Sequence, residues 1–240
     1  METARRTTEG SMPGKGISLD IRKVQVIINP AAGKDEPILN TLNDVFHTAG
    51  IAWDVSITYD AGDAMRHARE AVEAGVDVVA AYGGDGTVLE VASGLVGSQV
   101  PLAILPGGTA NMLSVELGVP QTLRAAAELI LSPEKKVRAV DMGQIGGDYF
   151  FHLGMGVEGE MIKRADREAK DSSGMIAYLT AMLQSVREHE PVHYTLTLDG
   201  QREEVEGINC MITTFGSLGV GGLKLSKTID PSDGLLVCLG

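Results

Sequence analysis

The residues best suited to chemistry lie in two glycine-rich stretches, Tyr82–Glu90 (YGGDGTVLE) and Leu105–Leu117 (LPGGTANMLSVEL). The first follows an apolar run, Val76–Ala81, that reads as a buried parallel strand, and it enters a segment whose Val88, Val91, Ala92 and Leu95 recur at helical spacing. A strand therefore ends in a tight turn that starts a helix. Gly83, Gly84 and Gly86 let the backbone come close to a ligand, and the free N–H groups and positive dipole end of a helix N-terminus suit phosphate. Asp85 does not suit a bare anion, because a carboxylate repels phosphate unless a divalent cation lies between them; the loop thus predicts an Mg²⁺-nucleotide. The second stretch repeats the plan. Leu102–Leu105 is a short strand, Gly107 and Gly108 form the turn, and Thr109 or Asn111 is the expected cap of the next helix. Two such turns at the C-terminal ends of parallel strands make one crevice, where open α/β sheets bind ligands.

The elements that must position these loops follow from apolar periodicity. Val24–Ile28 is a β-branched run ending at Asn29-Pro30, and Lys34 stands in the small-residue loop after it, placed either to reach a phosphate or simply to be solvated. Leu39, Leu42, Val45, Phe46 and Ala49 predict a helix ended by Gly50. A strand over 53–58 and a helix from Asp63, stopped by Gly75, complete an alternation that predicts a doubly wound α/β domain over 21–135. Composition changes after Pro133. Val137–Ile145 and Asp148–Leu153 read as a hairpin across Gly146-Gly147, and Val192–Leu198 pairs with Gln201–Val205 across Asp199-Gly200. Helical patterns over 158–169 and 175–187 lie between them, the second with an apolar stripe of Ile176, Leu179, Met182, Leu183 and Val186 that reads as a core face or an acyl-chain groove. Strands resume at Gly207–Thr213. Residues 136–240 are thus expected to form a second, β-rich domain with inserted helices.

A chain of 240 residues with 44% hydrophobic content supports two modest domains, and residues 1–20 read as a disordered polar tail. The net charge of −12 and 4% aromatic content argue against nucleic acid and against a polybasic membrane patch. There is no apolar run near the length of a membrane span and no signal-type apolar segment at the N-terminus. Cys210 and Cys238 match neither a metal spacing nor a disulfide framework, so a reducing cytoplasm is the simplest home. The five histidines, His47, His67, His152, His189 and His193, form no i,i+4 pair and read as structural.

In their order along the chain these segments resemble the diacylglycerol kinase catalytic domain family, which includes bacterial lipid kinases and the ceramide and sphingosine kinases. The resemblance rests on Val26–Pro30 with Gly33-Lys34, Thr58, Gly62-Asp63-Ala64, Gly83–Thr87 with Glu90, Pro106–Asn111 and Val140–Gly143. It continues through Gly221–Lys224 and Asp233–Leu236. It implies an ATP-binding α/β domain followed by a β-sandwich, with a lipid phosphorylated at the membrane surface by a cytoplasmic or peripheral enzyme. By this similarity Asn29, Pro30, Lys34, Thr58, Gly83, Gly84, Asp85, Gly86, Thr87, Glu90, Gly107, Thr109 and Asn111 would hold ATP. Asp85 and Asp141 would join a carboxylate, water and Mg²⁺ network, and Asp230, Asp233 and Leu235 would surround a structural Mg²⁺.

Two departures qualify the match. Met112 stands where many members carry an Asp after the GTxN segment, and the family's general base belongs to a later Asp-Gly-Glu segment that does not occur before Gly240. The chain is therefore expected to be a C-terminally incomplete form, poorly active by itself, with an unpaired strand edge that could mediate a homodimer. Three functions remain in view: an ATP-dependent lipid kinase, a non-catalytic nucleotide- or lipid-binding module, and an NAD kinase-like phosphorylation of a soluble substrate, which GGDGT alone would admit.

Overall fold

The computed structural model describes residues 20–32, 36–156, 191–218, 224–226 and 228–239. Residues 1–19 of the expected tail, Gly33-Lys34, both helical patterns between 158 and 187, and the Gly221–Leu223 part of the family motif lie outside the described residues.

The first seven elements alternate strictly: β1 (Lys23–Ile28), α1 (Ile38–Thr48), β2 (Ala52–Ile57), α2 (Asp63–Glu73), β3 (Val78–Gly83), α3 (Asp85–Leu95) and β4 (Leu102–Pro106). Two helices follow, α4 (Met112–Glu116) and α5 (Leu123–Leu131). The four strands form one parallel sheet in the order β2-β1-β3-β4. Every residue of β3 is buried, which explains its unbroken run of small and apolar side chains: a parallel strand covered on both faces has no polar side to present. On one face Val24, Val26, Ile28, Val78, Ala80 and Tyr82 pack with Leu42 and Phe46 of α1 and Leu123, Ala127 and Ile130 of α5. On the other, α2 packs on α3. A Cβ on Gly94 would lie 2.5 Å from the Met65 carbonyl oxygen and 2.8 Å from the Ala68 Cβ, so Gly94 permits that close approach. Gly50 and Gly75 take positive φ after α1 and α2, as the helix stops required.

The later elements are β5 (Gly143–Ile145), β6 (Asp148–Phe150), β7 (His152–Gly156), β8 (Val192–Leu198), β9 (Gln201–Gly207), β10 (Asn209–Thr213) and β11 (Val237–Leu239). β5 and β6 pair across Gly146 and Gly147, both at positive φ. The hairpin is shorter than its sequence pattern predicts: 137–142 forms no strand, and the continuation Asp148–Leu153 breaks after Phe150. Phe151 instead offers its carbonyl to the Thr214 N–H, and β7 pairs antiparallel with β10, whose other edge holds β11. β8 and β9 pair in the predicted register across Asp199-Gly200, whose φ values of 49° and 85° fit the twist-matched two-residue turn.

The chain divides into two compact units at places other than 135/136. One comprises residues up to Phe150 together with Phe215–Gly234, and the other comprises Phe151–Thr214 with the residues from Leu235 onward. Residues 136–150 and the 215–234 excursion thus belong with the parallel sheet. The Asp141 N–H donates to the Pro231 carbonyl at 2.7 Å, and Lys224 pairs with Glu116 of α4 at 2.9 Å.

Candidate nucleotide site

β1 is followed in sequence by its neighbour on one side and, after β2, by β3 on the other, so the strand order reverses between β1 and β3. Open α/β sheets bind ligands at the carboxyl ends of the strands at such a point. Here those ends are Asn29 and the Gly83–Asp85 turn. The Asn29 N–H donates to the Tyr82 carbonyl at 3.0 Å, and its side-chain Nδ2 donates to Thr87 Oγ1 at 3.1 Å. Asn29 Oδ1 in turn accepts the Ala31 N–H at 3.0 Å, which turns the chain sharply after β1. Thr58, buried at the end of β2, donates its N–H to the Ile28 carbonyl.

The two glycine-rich turns touch. A Cβ on Gly108 would lie 2.5 Å from Gly84 Cα, and one on Gly83 would lie 2.6 Å from Thr87 Cβ. A Cβ on Gly107 would press on the Tyr82 ring at 3.0 Å, while the Gly107 N–H donates to the Gly83 carbonyl at 3.0 Å. The Tyr82 hydroxyl donates to Glu36 Oε1 at 2.8 Å, tying the exit of the loop after β1 to the floor of the crevice. Gly86 differs from these glycines. It is exposed, its φ is not positive, and a Cβ there would meet nothing within 4 Å.

Asn111 occupies the position before α4, but its side chain does not cap that helix. Its backbone is left-handed (φ 49°, ψ 46°), which turns the side chain back onto Gly108: Oδ1 accepts the Gly108 N–H and Nδ2 donates to the Gly108 carbonyl, both at 2.9 Å. Thr109, the other expected cap, is exposed. The first turn of α4 is satisfied from outside, by Asp85. The Met112 N–H donates to Asp85 Oδ1 at 2.6 Å. Burial pushes the Asp85 carboxyl above its ordinary value, and hydrogen bonds from the Met112, Leu113 and Asn111 backbone oppose that shift only in part. The residue with the functional pattern is thus a half-buried carboxylate held in place by backbone donors of the other loop.

The remaining residues expected at the site are distributed differently. Pro30 is exposed in the turn after β1. Glu90 Oε2 accepts the Gly62 and Ala64 N–H groups at 3.0 and 3.2 Å, so this carboxylate serves the N-terminus of α2, where Gly62 has φ 88°. Asp141 Oδ2 accepts the Gly234 N–H at 2.7 Å, and Asp230 is ion-paired with Arg138 while accepting the Ser232 N–H at 2.9 Å. The structure therefore brings Asp141 onto the 230–234 turn. Among the described residues no group of three His, Cys, Asp or Glu side chains is placed to hold a metal. Asp85 is still compatible with Mg²⁺, because that ion is commonly held by one or two carboxylates together with substrate phosphates and water, with no all-protein cage. Of the histidines, His152 Nδ1 lies 2.7 Å from Thr213 Oγ1 across the β7–β10 pair, and His67 Nδ1 lies 3.1 Å from Glu70 Oε2 within α2.

Residues 23–145 match the diacylglycerol kinase catalytic domain, and residues 152–239 match the YegS C-terminal NAD kinase beta sandwich-like domain. An uncharacterised protein of Synechocystis sp. is 36% identical over 158 residues, which are 64% of this chain and 36% of that protein. A protein of Pseudomonas putida described as a probable lipid kinase YegS-like is 33% identical over 219 residues, 90% of this chain and 72% of the relative. The crystal structure of a diacylglycerol kinase from Bacillus anthracis superposes with a TM-score of 0.67 at 31% identity, covering 90% of this chain and 72% of that one. The two matched domains, one built on the parallel sheet and one β-sandwich-like, mark a class of kinases. Within that class, the chain belongs to the diacylglycerol kinase catalytic domain family.

Proposed function

We propose that this chain is an ATP-dependent lipid kinase, transferring the γ-phosphoryl group to a hydroxyl of diacylglycerol or a related lipid. The observation that carries this reading is the contact of Gly84, at the β1/β3 switch point, with Gly108 of the turn after the neighbouring β4, with Asp85 held by the second turn. The names of the relatives from Pseudomonas putida and Bacillus anthracis support the lipid acceptor. Phosphoryl transfer asks a protein mainly to position groups and neutralise charge. Asn29 and Thr87 fix the two strand ends that face the phosphates, and the glycine turns leave backbone open to them. Asp85 would hold Mg²⁺ through the nucleotide, and the ion would supply neutralisation of the phosphate charge. The lipid hydroxyl oxygen forms the new bond to phosphorus as the bond to the β-phosphate oxygen breaks and ADP leaves, and the hydroxyl proton is lost to solvent. Among the described residues no helix is long and apolar enough to cross a membrane. As a lipid kinase the chain would meet its lipid at a membrane surface.

A second reading, a nucleotide- or lipid-binding module without turnover, draws on the engagement of Asp85 by α4 and on Met112 in place of a further carboxylate. Labelled ATP offered with Mg²⁺ and mixed micelles of diacylglycerol, ceramide or sphingosine separates the two. Label in the organic phase, abolished by Asp85→Asn, establishes the kinase. ATP binding without lipid product establishes the module, and NADP⁺ formed from NAD without lipid product would favour the soluble substrate.

A further inference from the structure

The two cysteines are 28 positions apart in sequence, yet their sulfurs lie 3.5 Å from one another. β10 and β11 are antiparallel neighbours in which Ile212 faces Cys238, so Cys210, two residues from Ile212, lies diagonally across on the same side of the sheet. Cys210 is on the central strand of the three, paired on its other edge with Met155 of β7, and is fully buried. Cys238 is on the outer strand, β11, and is half-buried. Sequence spacing gave no reason to pair them; the strand register does. We propose that Cys210 and Cys238 are a thiol-modification site, a cross-strand dithiol that small-molecule disulfides such as oxidised glutathione convert to an internal disulfide.

The geometry assigns the order of events. Thiol and disulfide exchange proceeds through a mixed disulfide, and the accessible sulfur reacts first. The Cys238 thiolate attacks one sulfur of oxidised glutathione, the glutathione S–S bond breaks, and one glutathione thiolate leaves and takes a proton. Cys210 then loses its proton to solvent and attacks the Cys238 sulfur, forming the internal bond and releasing the second glutathione. The protein loses two electrons and two protons, and the glutathione disulfide gains both. Burial, followed by the neighbouring Cys238, pushes the Cys210 thiol up to about 11, so the buried Cys210 is not the sulfur that attacks first. The sulfurs need to close from 3.5 Å to about 2.05 Å, which for a diagonal cross-strand pair draws the backbone of the outer strand, β11, toward β10. The bond would tether the two ends of the stretch that carries Lys224 and the 230–234 turn, because both fall between residues 210 and 238.

The test uses the whole chain, incubated with oxidised glutathione in mildly alkaline buffer, quenched with a thiol-alkylating reagent under denaturing conditions and analysed by mass without reduction. The expected product is a monomer lighter by two hydrogens, with no alkylated cysteine and with Cys210 and Cys238 peptides joined. A time course should show the glutathione adduct on Cys238 before the bond, and Cys210→Ser should stop at that adduct. Two persistent thiols, a stable glutathione adduct with no internal bond, a first adduct on Cys210, or a cross-link between two chains would each overturn the proposal. The wild-type time course decides the matter even if Cys210→Ser fails to fold.

Discussion

Asp85 of α3 accepts the Met112 N–H of α4 at 2.6 Å, so the carboxylate of one glycine-rich turn serves as the external cap of the helix that follows the other. This relationship gives Asp85 two tasks. It holds the two loops in register, and it keeps a charged oxygen in a half-buried crevice at a cost that a bound cation would relieve.

Asp85→Asn separates those tasks. The amide oxygen can still accept the Met112 N–H, but the buried charge is gone. Because burial raises the folded-state pKa of Asp85, the protonated form is the one the fold favours. Its contribution is fully present below the ordinary carboxylate value of about 3.9 and is lost as pH rises through the folded value. At neutral pH Asp85→Asn is therefore expected to unfold at a higher temperature than wild type, with the gap closing toward pH 4. Phosphoryl transfer should fall by about 10² or more. Equal melting curves at pH 7 and pH 4 would remove the burial argument.

Gly108→Ala places a Cβ against Gly84 Cα, a backbone atom that no rotamer change can move. Overpacking of this kind costs roughly 1–3 kcal/mol, and the two turns must part to relieve it. Urea unfolding should show the lower midpoint, and ATP affinity should drop with it. A fully stable Gly108→Ala protein would contradict the contact between the loops.

Glu90→Ala tests a role that family resemblance and structure assign differently. The resemblance places Glu90 among the ATP-binding residues, whereas here it receives two N–H groups at the start of α2. Loss of such a cap typically costs about 0.5–2 kcal/mol. The expected result is that loss of stability with ATP affinity unchanged once the protein is folded; weakened ATP binding at unchanged stability would restore the ligand role.

What the sequence made legible follows from which signals side chains carry. β1 is marked by a β-branched run ending at Asn29-Pro30, and β3 and β4 by apolar runs that lead into glycine-rich turns, the pattern a buried parallel strand leaves. Asp85 stood out because a carboxylate in a phosphate-type turn needs a reason. Its partner did not, because a backbone N–H has no residue type and Met112 gives no hint of its donor. Asn111 was expected as a cap from its identity, but its left-handed backbone sends the side chain to Gly108. The helix α5 carries a clear apolar face, Leu123, Ala126, Ala127 and Ile130, but the turn-like Pro120-Gln121 before it marks the stretch as a loop in sequence. Phe150 and Phe151 are both apolar, so alternation could not show that the chain changes sheets between them. The meeting of Cys210 and Cys238 depends on the register of β10 with β11, which only the folded chain supplies.

Gly86 offers the most direct test that the crevice is a nucleotide site. The fold makes no demand for glycine there: φ is not positive, no atom lies within 4 Å of an added Cβ, and the residue sits in the first turn of α3. Gly86→Ala should be neutral or stabilising by about 0.5–1 kcal/mol, since alanine is the better helix former. If phosphates approach the backbone at this turn, the added methyl group stands in their path. Calorimetric titration of MgATP into wild type and Gly86→Ala, with a melting curve for each, should show affinity at least about tenfold weaker in a protein at least as stable, a difference of about 1.4 kcal/mol. Equal affinity in both proteins would contradict the account.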